Sequence, residues 1–219
     1  MTAACTGGGG RGTLWGPLGQ TEVRTALYRI GVRDQRPELS LLVSNGAFDC
    51  AMPSPGPGED APEMALAEEA RYAAGCRESA QHVALRLYDL HAARAGAWTG
   101  TFAGRSGADG RDLALDAPRL ATASYYGVEE AVLISLDGLG RGYLAVQDVL
   151  LSGFGDGGEV WLEPLEPLGG TAGAPGDLRG WFSFPSEQIE GRFVARPCGP
   201  DASQLEALVA DPVQLCRGP

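Results

Sequence analysis

The sequence predicts an all-β protein: a β-sandwich or barrel-like antiparallel sheet of about ten strands with two short helices. Three observations carry that expectation. Short runs with period-two alternation recur along most of the chain. Turn-forming residues punctuate them, with 33 glycines and 15 prolines among 219 residues. Helical periodicity is sparse between the runs, so the crossovers that a parallel α/β sheet requires are missing. A chain of this length is long enough for one well-buried domain.

From the N-terminus, residues 6–21 are Gly-rich around Gly7 to Gly10, with Pro17 and little periodicity. Residues 1–21 therefore read as a tether before a single β domain over 22–219. A flexible linker of about 15 residues spans roughly 20 Å r.m.s.. Strands are expected at 24–32 and 38–45. Pro53 to Gly58 is turn-rich, and 62–74, with Pro62 in its first turn and Ala, Glu and Leu throughout, predicts a helix ending near Gly75. In 81–88, Val83, Leu85 and Leu87 share one face, while His82, Arg86 and Tyr88 share the other. That alternation puts His82 on a solvent face and His91 in the loop that follows. Further strands are expected at 97–103, 119–126, 130–136, 143–151 and 158–163. The clearest hairpin pairs Leu178, Phe182 and Phe184 of 178–184 with Ile189, Phe193 and Ala195 of 189–196, through Pro185-Ser186-Glu187-Gln188. A short helix over 202–210, capped by Asp201, presents Leu205, Leu208 and Val209 on one side and ends at Asp211-Pro212.

The chain has five cysteines. Thr2-Ala3-Ala4-Cys5, followed by the glycine tract, resembles a bacterial lipoprotein processing site, so Cys5 is expected to carry lipid. Four residues precede it, and the expectation therefore places an export segment upstream of Met1. Cys50, Cys76, Cys198 and Cys216 are left to pair, with three possible connectivities. Locality favours Cys50–Cys76 and Cys198–Cys216, each closing a loop that contributes roughly 3 kcal/mol. Zinc is not expected: there is no C-x-x-C, and His82 and His91 lack zinc-ligand spacing to any cysteine.

Leu39-Ser40-Leu41-Leu42-Val43-Ser44-Asn45-Gly46 with Cys50 resembles the first strand and cysteine of envelope lipoproteins from delta-proteobacteria such as myxobacteria. Their closing hairpin is similar to Gly180-Trp181-Phe182-Ser183-Phe184 and Glu190-Gly191-Arg192-Phe193-Val194-Ala195-Arg196-Pro197-Cys198. The resemblance spans about residues 25–198 and is loose. It implies an exported, lipid-anchored β domain in the cell envelope, at the outer membrane or cell surface. It carries over no catalytic residue.

A net charge of −11 without a basic cluster repels phosphate backbones, so no nucleic-acid partner is expected. Membrane contact would come from acyl chains on Cys5 rather than from docking on anionic lipid. No apolar run reaches the roughly 18 residues of a membrane helix. Gly138-Leu139-Gly140-Arg141-Gly142 has strand-like flanks on both sides, which makes it a hairpin turn rather than a dinucleotide fingerprint. No G-x-S-x-G occurs, and two histidines supply a Ser–His–acid site thinly. The acidic groups Glu129-Glu130, Asp109/Asp112/Asp116, Asp156/Glu159 and Glu163/Glu166 read as a solvated surface, and the loops at Asp109 and Asp156 depart from the EF-hand pattern. No cofactor or metal is expected. Trp98, Tyr125, Tyr126 and Trp161, with Trp181, are the candidate binding surface, Tyr125-Tyr126 being the pair expected to reach solvent. The expected function is a binding or assembly module for a protein or glycan partner. The alternatives are a hydrolase of surface glycans working from the acidic loops, and a lipocalin-like carrier of a small apolar ligand.

Overall fold

The computed structural model describes residues 11–33, 36–51, 75–90, 98–107, 118–136, 141–164, 176–211, 213 and 216, apart from the side chains of 133–143 and 164. Cys5, His91 and the helix expected over 62–74 lie outside the described residues. Eleven strands form a barrel-like sheet: β1 (Arg11–Gly16), β2 (Gly19–Glu22), β3 (Thr25–Arg33), β4 (Arg36–Ser44), β5 (Gln81–Asp89), β6 (Gly100–Gly104), β7 (Arg119–Leu136), β8 (Arg141–Phe154), β9 (Glu159–Pro164), β10 (Leu178–Phe184) and β11 (Ile189–Pro197). Among the described residues one helix, α1 (Ser203–Ala210), follows. The barrel-like all-β expectation holds.

The ring runs β3-β4-β5-β7-β6-β9-β10-β11 and returns to β3. Its contacts are antiparallel except at two short parallel seams. At one seam Ala103 and Gly104 of β6 face Leu120 and Ala121 of β7. At the other, Arg196 and Pro197 of β11 face Leu27 and Tyr28 of β3. The expected strands at 119–126 and 130–136 are one continuous β7, whose far end pairs with β8 up to Leu136↔Arg141. Register shifts fall between Ala123 and Tyr125 and between Val128 and Glu130, and beyond Gly127 β7 pairs with β8 and no longer with β5.

The expected tether over 1–21 is corrected in its second half. Arg11, Thr13 and Trp15 alternate with Gly12, Leu14 and Gly16, and Leu14 is fully buried. Gly19, at φ 91°, takes the left-handed conformation that closes the Pro17-Leu18 turn. β1 then adds to β11 from Trp15↔Glu190 to Arg11↔Val194.

Alternation fills the interior. Leu39, Leu41 and Val43 of β4, Val83, Leu85 and Leu87 of β5, and Phe182 and Phe184 of β10 meet Phe102, Tyr125, Ile189 and Phe193 in one cluster. The closing hairpin makes room for its rings with glycines: Phe182 faces Gly191, and Phe193 faces Gly180. A Cβ on Gly191 would sit 2.3 Å from the Phe182 ring, so a side chain there would displace an aromatic ring from the core.

The outer face of β3-β4-β5 carries a second layer. Leu205, Leu208 and Val209 of α1, with Ala202 and Phe48, pack on Leu27, Leu42 and Ala84. Burying each such aliphatic side chain stabilises by about 1.5–3 kcal/mol. The helix begins one residue later than a cap at Asp201 would give. Ala202 is the N-cap, and the Asp201 carboxylate accepts from the Ser203 N–H (3.2 Å) and Oγ–H (2.9 Å).

The expected disulfide pairing is corrected. Cys50 bonds Cys198, and Cys76 bonds Cys216, across 148 and 140 residues of sequence. The physical reason is the path of the C-terminal segment. It leaves β11 beside Cys50, crosses the barrel as α1, and ends beside Cys76, so each end is stapled to a different partner. We expect the Cys76→Ser/Cys216→Ser double variant to lose about 2–4 kcal/mol in denaturant unfolding, with non-reducing peptide mapping of the parent showing these two linkages alone.

Candidate binding surface

Of the aromatic residues singled out from the sequence, three belong to the interior. Trp98 is 5% exposed and stacks on Phe102 at 5.9 Å, and Arg119 lies over the other part of that pair, 5.4 Å from the Phe102 centroid. Tyr125 and Tyr126 are both 0% exposed. They do face opposite sides of β7. Tyr125 points inward and donates to Gln81 Oε1 at 3.0 Å, while burial pushes its phenol far up. Tyr126 points outward, but it lies beneath the layer built by Cys76, Cys216, Ala80 and Val128. A solvent-side position and an exposed position are different things wherever a second layer covers the sheet.

His82 is corrected for the same reason. It faces outward on β5 yet is 2% exposed, edge-on to Phe48 (5.2 Å) and stacked on Tyr126 (5.9 Å). Nε2 lies 2.8 Å from the Gly75 carbonyl, an acceptor, so Nε2 carries the proton. Nδ1 then accepts from the Ser44 hydroxyl at 2.7 Å, and that oxygen accepts from the Gly46 N–H at 2.7 Å. The group is a buried neutral clasp between β4, β5 and the segment entering Cys76. Desolvation lowers the His82 pKa from 6.5 to about 4, with Arg77 adding to the effect and the Gly75 bond opposing it.

Among the described residues, no three His, Cys, Asp or Glu side chains converge as metal ligands would. Asp156 sits at an exposed turn and accepts from the Ser106 N–H at 2.8 Å, and its hydrogen bonds to Ser106 hold its carboxyl below the usual range. Glu129 is exposed on β7 and accepts from Gln147. Asp109, Asp112, Asp116, Glu166 and Gly138 to Gly140 lie outside the described residues.

The exposed aromatic surface is elsewhere, on the outer face of β2-β1-β11-β10-β9. Trp161 is half-buried on β9 and lies directly opposite Trp181 on β10. Trp181 faces Arg192 on β11, and Arg192 faces Thr13 on β1. One row along, Ser183, Glu190, Trp15 and Gln20 follow in the same order. Trp15 is 54% exposed. Together Thr13, Trp15, Gln20, Trp181, Glu190 and Arg192 line an open groove of about 390 Å3. That is within the ~300–1,000 Å3 usual for small-molecule sites. Trp15 and Trp181 lie two strands apart, ~10 Å across the sheet, with the Glu190/Arg192 pair between them. Trp15 was the residue that sequence reasoning missed. The signal was the alternation of 11–16 before a Gly-Pro-Leu-Gly turn, hidden by the glycine content around it.

No protein-family model matches the chain, and no curated protein or solved structure is significantly similar to it. The two disulfides fit an oxidising, extracytoplasmic compartment.

The clasp sets a pH dependence. Between pH 6.5 and about 4 the unfolded chain binds a proton at His82 that the folded chain does not. Stability is therefore full above that window and falls with pH through it, by up to about 3 kcal/mol. Urea unfolding at pH 7 and near pH 4 should show that loss in the parent, and His82→Gln, although less stable at pH 7, should show much less of it.

Proposed function

We propose that this chain is an exported, lipid-anchored binding module of the cell envelope, non-catalytic, which engages its partner through the outer aromatic face of the barrel. The observation that carries the reading is Trp15, more than half exposed and lining one groove with Trp181 on a face that no second layer of described residues covers. A large exposed aromatic costs solubility unless something binds it, and tryptophan is enriched at the energetic centres of interfaces. The interior supports the same division of roles. Phe102, Phe182, Phe184 and Tyr125 fill the ring where a lipocalin-like carrier would need a cavity. The disulfides, the lipoprotein-type residues around Cys5 and the resemblance to envelope lipoproteins support the address.

Two measurements test it. Incubated with an envelope fraction of its source cells, the purified chain free of acyl groups should co-sediment, and Trp15→Ala or Trp181→Ala should weaken its apparent affinity about tenfold with unfolding unchanged. Retention that ignores both substitutions would contradict the proposed face. Intact mass spectrometry of the native protein should show acyl groups on Cys5, and an unmodified chain beginning at Met1 would contradict the anchor.

A further inference from the structure

The groove between Trp15 and Trp181 has a chemistry that discriminates among partners. Its two aromatic faces are separated by side chains that are planar and polar: Glu190 and Arg192 on β11, with Gln20 and Thr13 flanking them. Glu190 accepts hydrogen bonds, Arg192 donates up to five, and Gln20 does both. The two charges cancel locally. Across the wider face, Glu22, Glu159 and Glu163 alternate with Arg11 and Arg179, so no single sign dominates even though the chain as a whole carries −11.

Exposed aliphatic side chains are absent from the two rows that hold the tryptophans, apart from Ala103 at the β6 end. The large exposed aliphatics among the described residues are Ile30, Val32, Val132 and Leu150, all on β3, β7 and β8. A protein-docking centre is depleted in glutamate and buries apolar area beyond its aromatic and arginine anchors, whereas this groove has Glu190 at its middle and no aliphatic side chain in its lining. A groove with aromatic platforms, balanced donors and acceptors and no aliphatic floor fits a molecule with apolar C–H faces and a rim of hydroxyls.

We infer that the Trp15–Trp181 groove binds a neutral polysaccharide, with sugar rings stacked on the two indoles and hydroxyls hydrogen-bonded by Glu190, Arg192 and Gln20. The inference rests on the binding-module reading above and names its partner class. The ~12 Å between the platforms (two strand spacings across and two residues along), together with Trp161 beside Trp181, makes the site a track for consecutive sugar units rather than a socket for one. The balanced charge selects neutral chains over acidic ones, because an anionic chain would meet Glu190 and the acidic molecule around it.

Native affinity electrophoresis of the full chain tests this, in gels containing hydroxyethyl cellulose, laminarin, amylopectin, xylan or galactomannan, with polygalacturonate and heparin as charged controls. We expect retardation in at least one neutral gel and none in the charged gels. Trp15→Ala and Trp181→Ala should each weaken that binding about tenfold, and Trp181→Phe, which keeps a ring, should recover part of it. Thermal unfolding of each variant separates lost binding from lost fold. No retardation in any neutral gel, while envelope retention still depends on Trp15 and Trp181, would overturn the polysaccharide and leave a protein partner. Stronger binding to the charged gels would also overturn it. Loss of Trp-dependent envelope retention would instead overturn the underlying reading.

Discussion

The structure depends on β11. Among the described residues it is the last strand, and from Ile189 to Ala195 it pairs with β10 on one side. Its other side is divided: Glu190 to Val194 take β1, and Arg196 and Pro197 take β3. The ring therefore closes only when the end of the β region meets its beginning. Two residue pairs make a short seam, and the chain reinforces it immediately. The Cys198 N–H bonds the Tyr28 carbonyl at 2.7 Å, and the Cys198 sulfur is tied to Cys50. Contacts this distant in sequence carry a large loop-closure cost, which the two long-range disulfides reduce by restricting the unfolded chain.

The same strand joins the fold to its surface. Alternation along β11 sends Ile189, Gly191, Phe193 and Ala195 inward and Glu190, Arg192 and Arg196 outward. Inward, the glycine leaves room for Phe182. Outward, the charged pair sits between two tryptophans contributed by the strands on either side. The aromatic groove is thus a product of register: shifting β1 or β10 by one residue would bury Trp15 or Trp181 and expose Leu14 or Phe182.

Much of this was legible in the sequence. Period-two alternation in 81–88, 178–184 and 189–196 marks β5, β10 and β11 to within a residue, and the other strands between 24 and 163 are legible more coarsely, together with the Pro185–Gln188 turn and the apolar side of α1, because each reflects a local preference. What stayed hidden was set by distant parts of the chain. The β1–β2 hairpin is glycine-rich and gains its stability from β11, so its own composition reads as a tether. The disulfide partners follow from where α1 lies, which loop-closure entropy over short separations does not describe. Alternation puts His82 on the outward side of its strand, where the structure has it, but the exposure expected of His82 and of Tyr125-Tyr126 fails, because a strand's alternation does not say whether a helix or a stapled loop covers that side. Trp161 and Trp181 are both legible as candidates, but they join Arg192, Glu190 and Trp15 in one site only when four strands are set in register.

A disulfide-closed barrel keeps Trp98 inside and, in the proposed function, offers Trp15 and Trp181 to a partner. Hydroxyl-radical footprinting of the native chain, with and without envelope material, tests both halves at once. Rapid oxidation of Trp15 and slower oxidation of Trp181 are expected in the free chain, with protection of both on binding and a Trp98 that stays unmodified throughout. Equal reactivity of Trp98 and Trp15 would contradict the fold, and unchanged reactivity of Trp15 and Trp181 in the bound state would contradict the binding face.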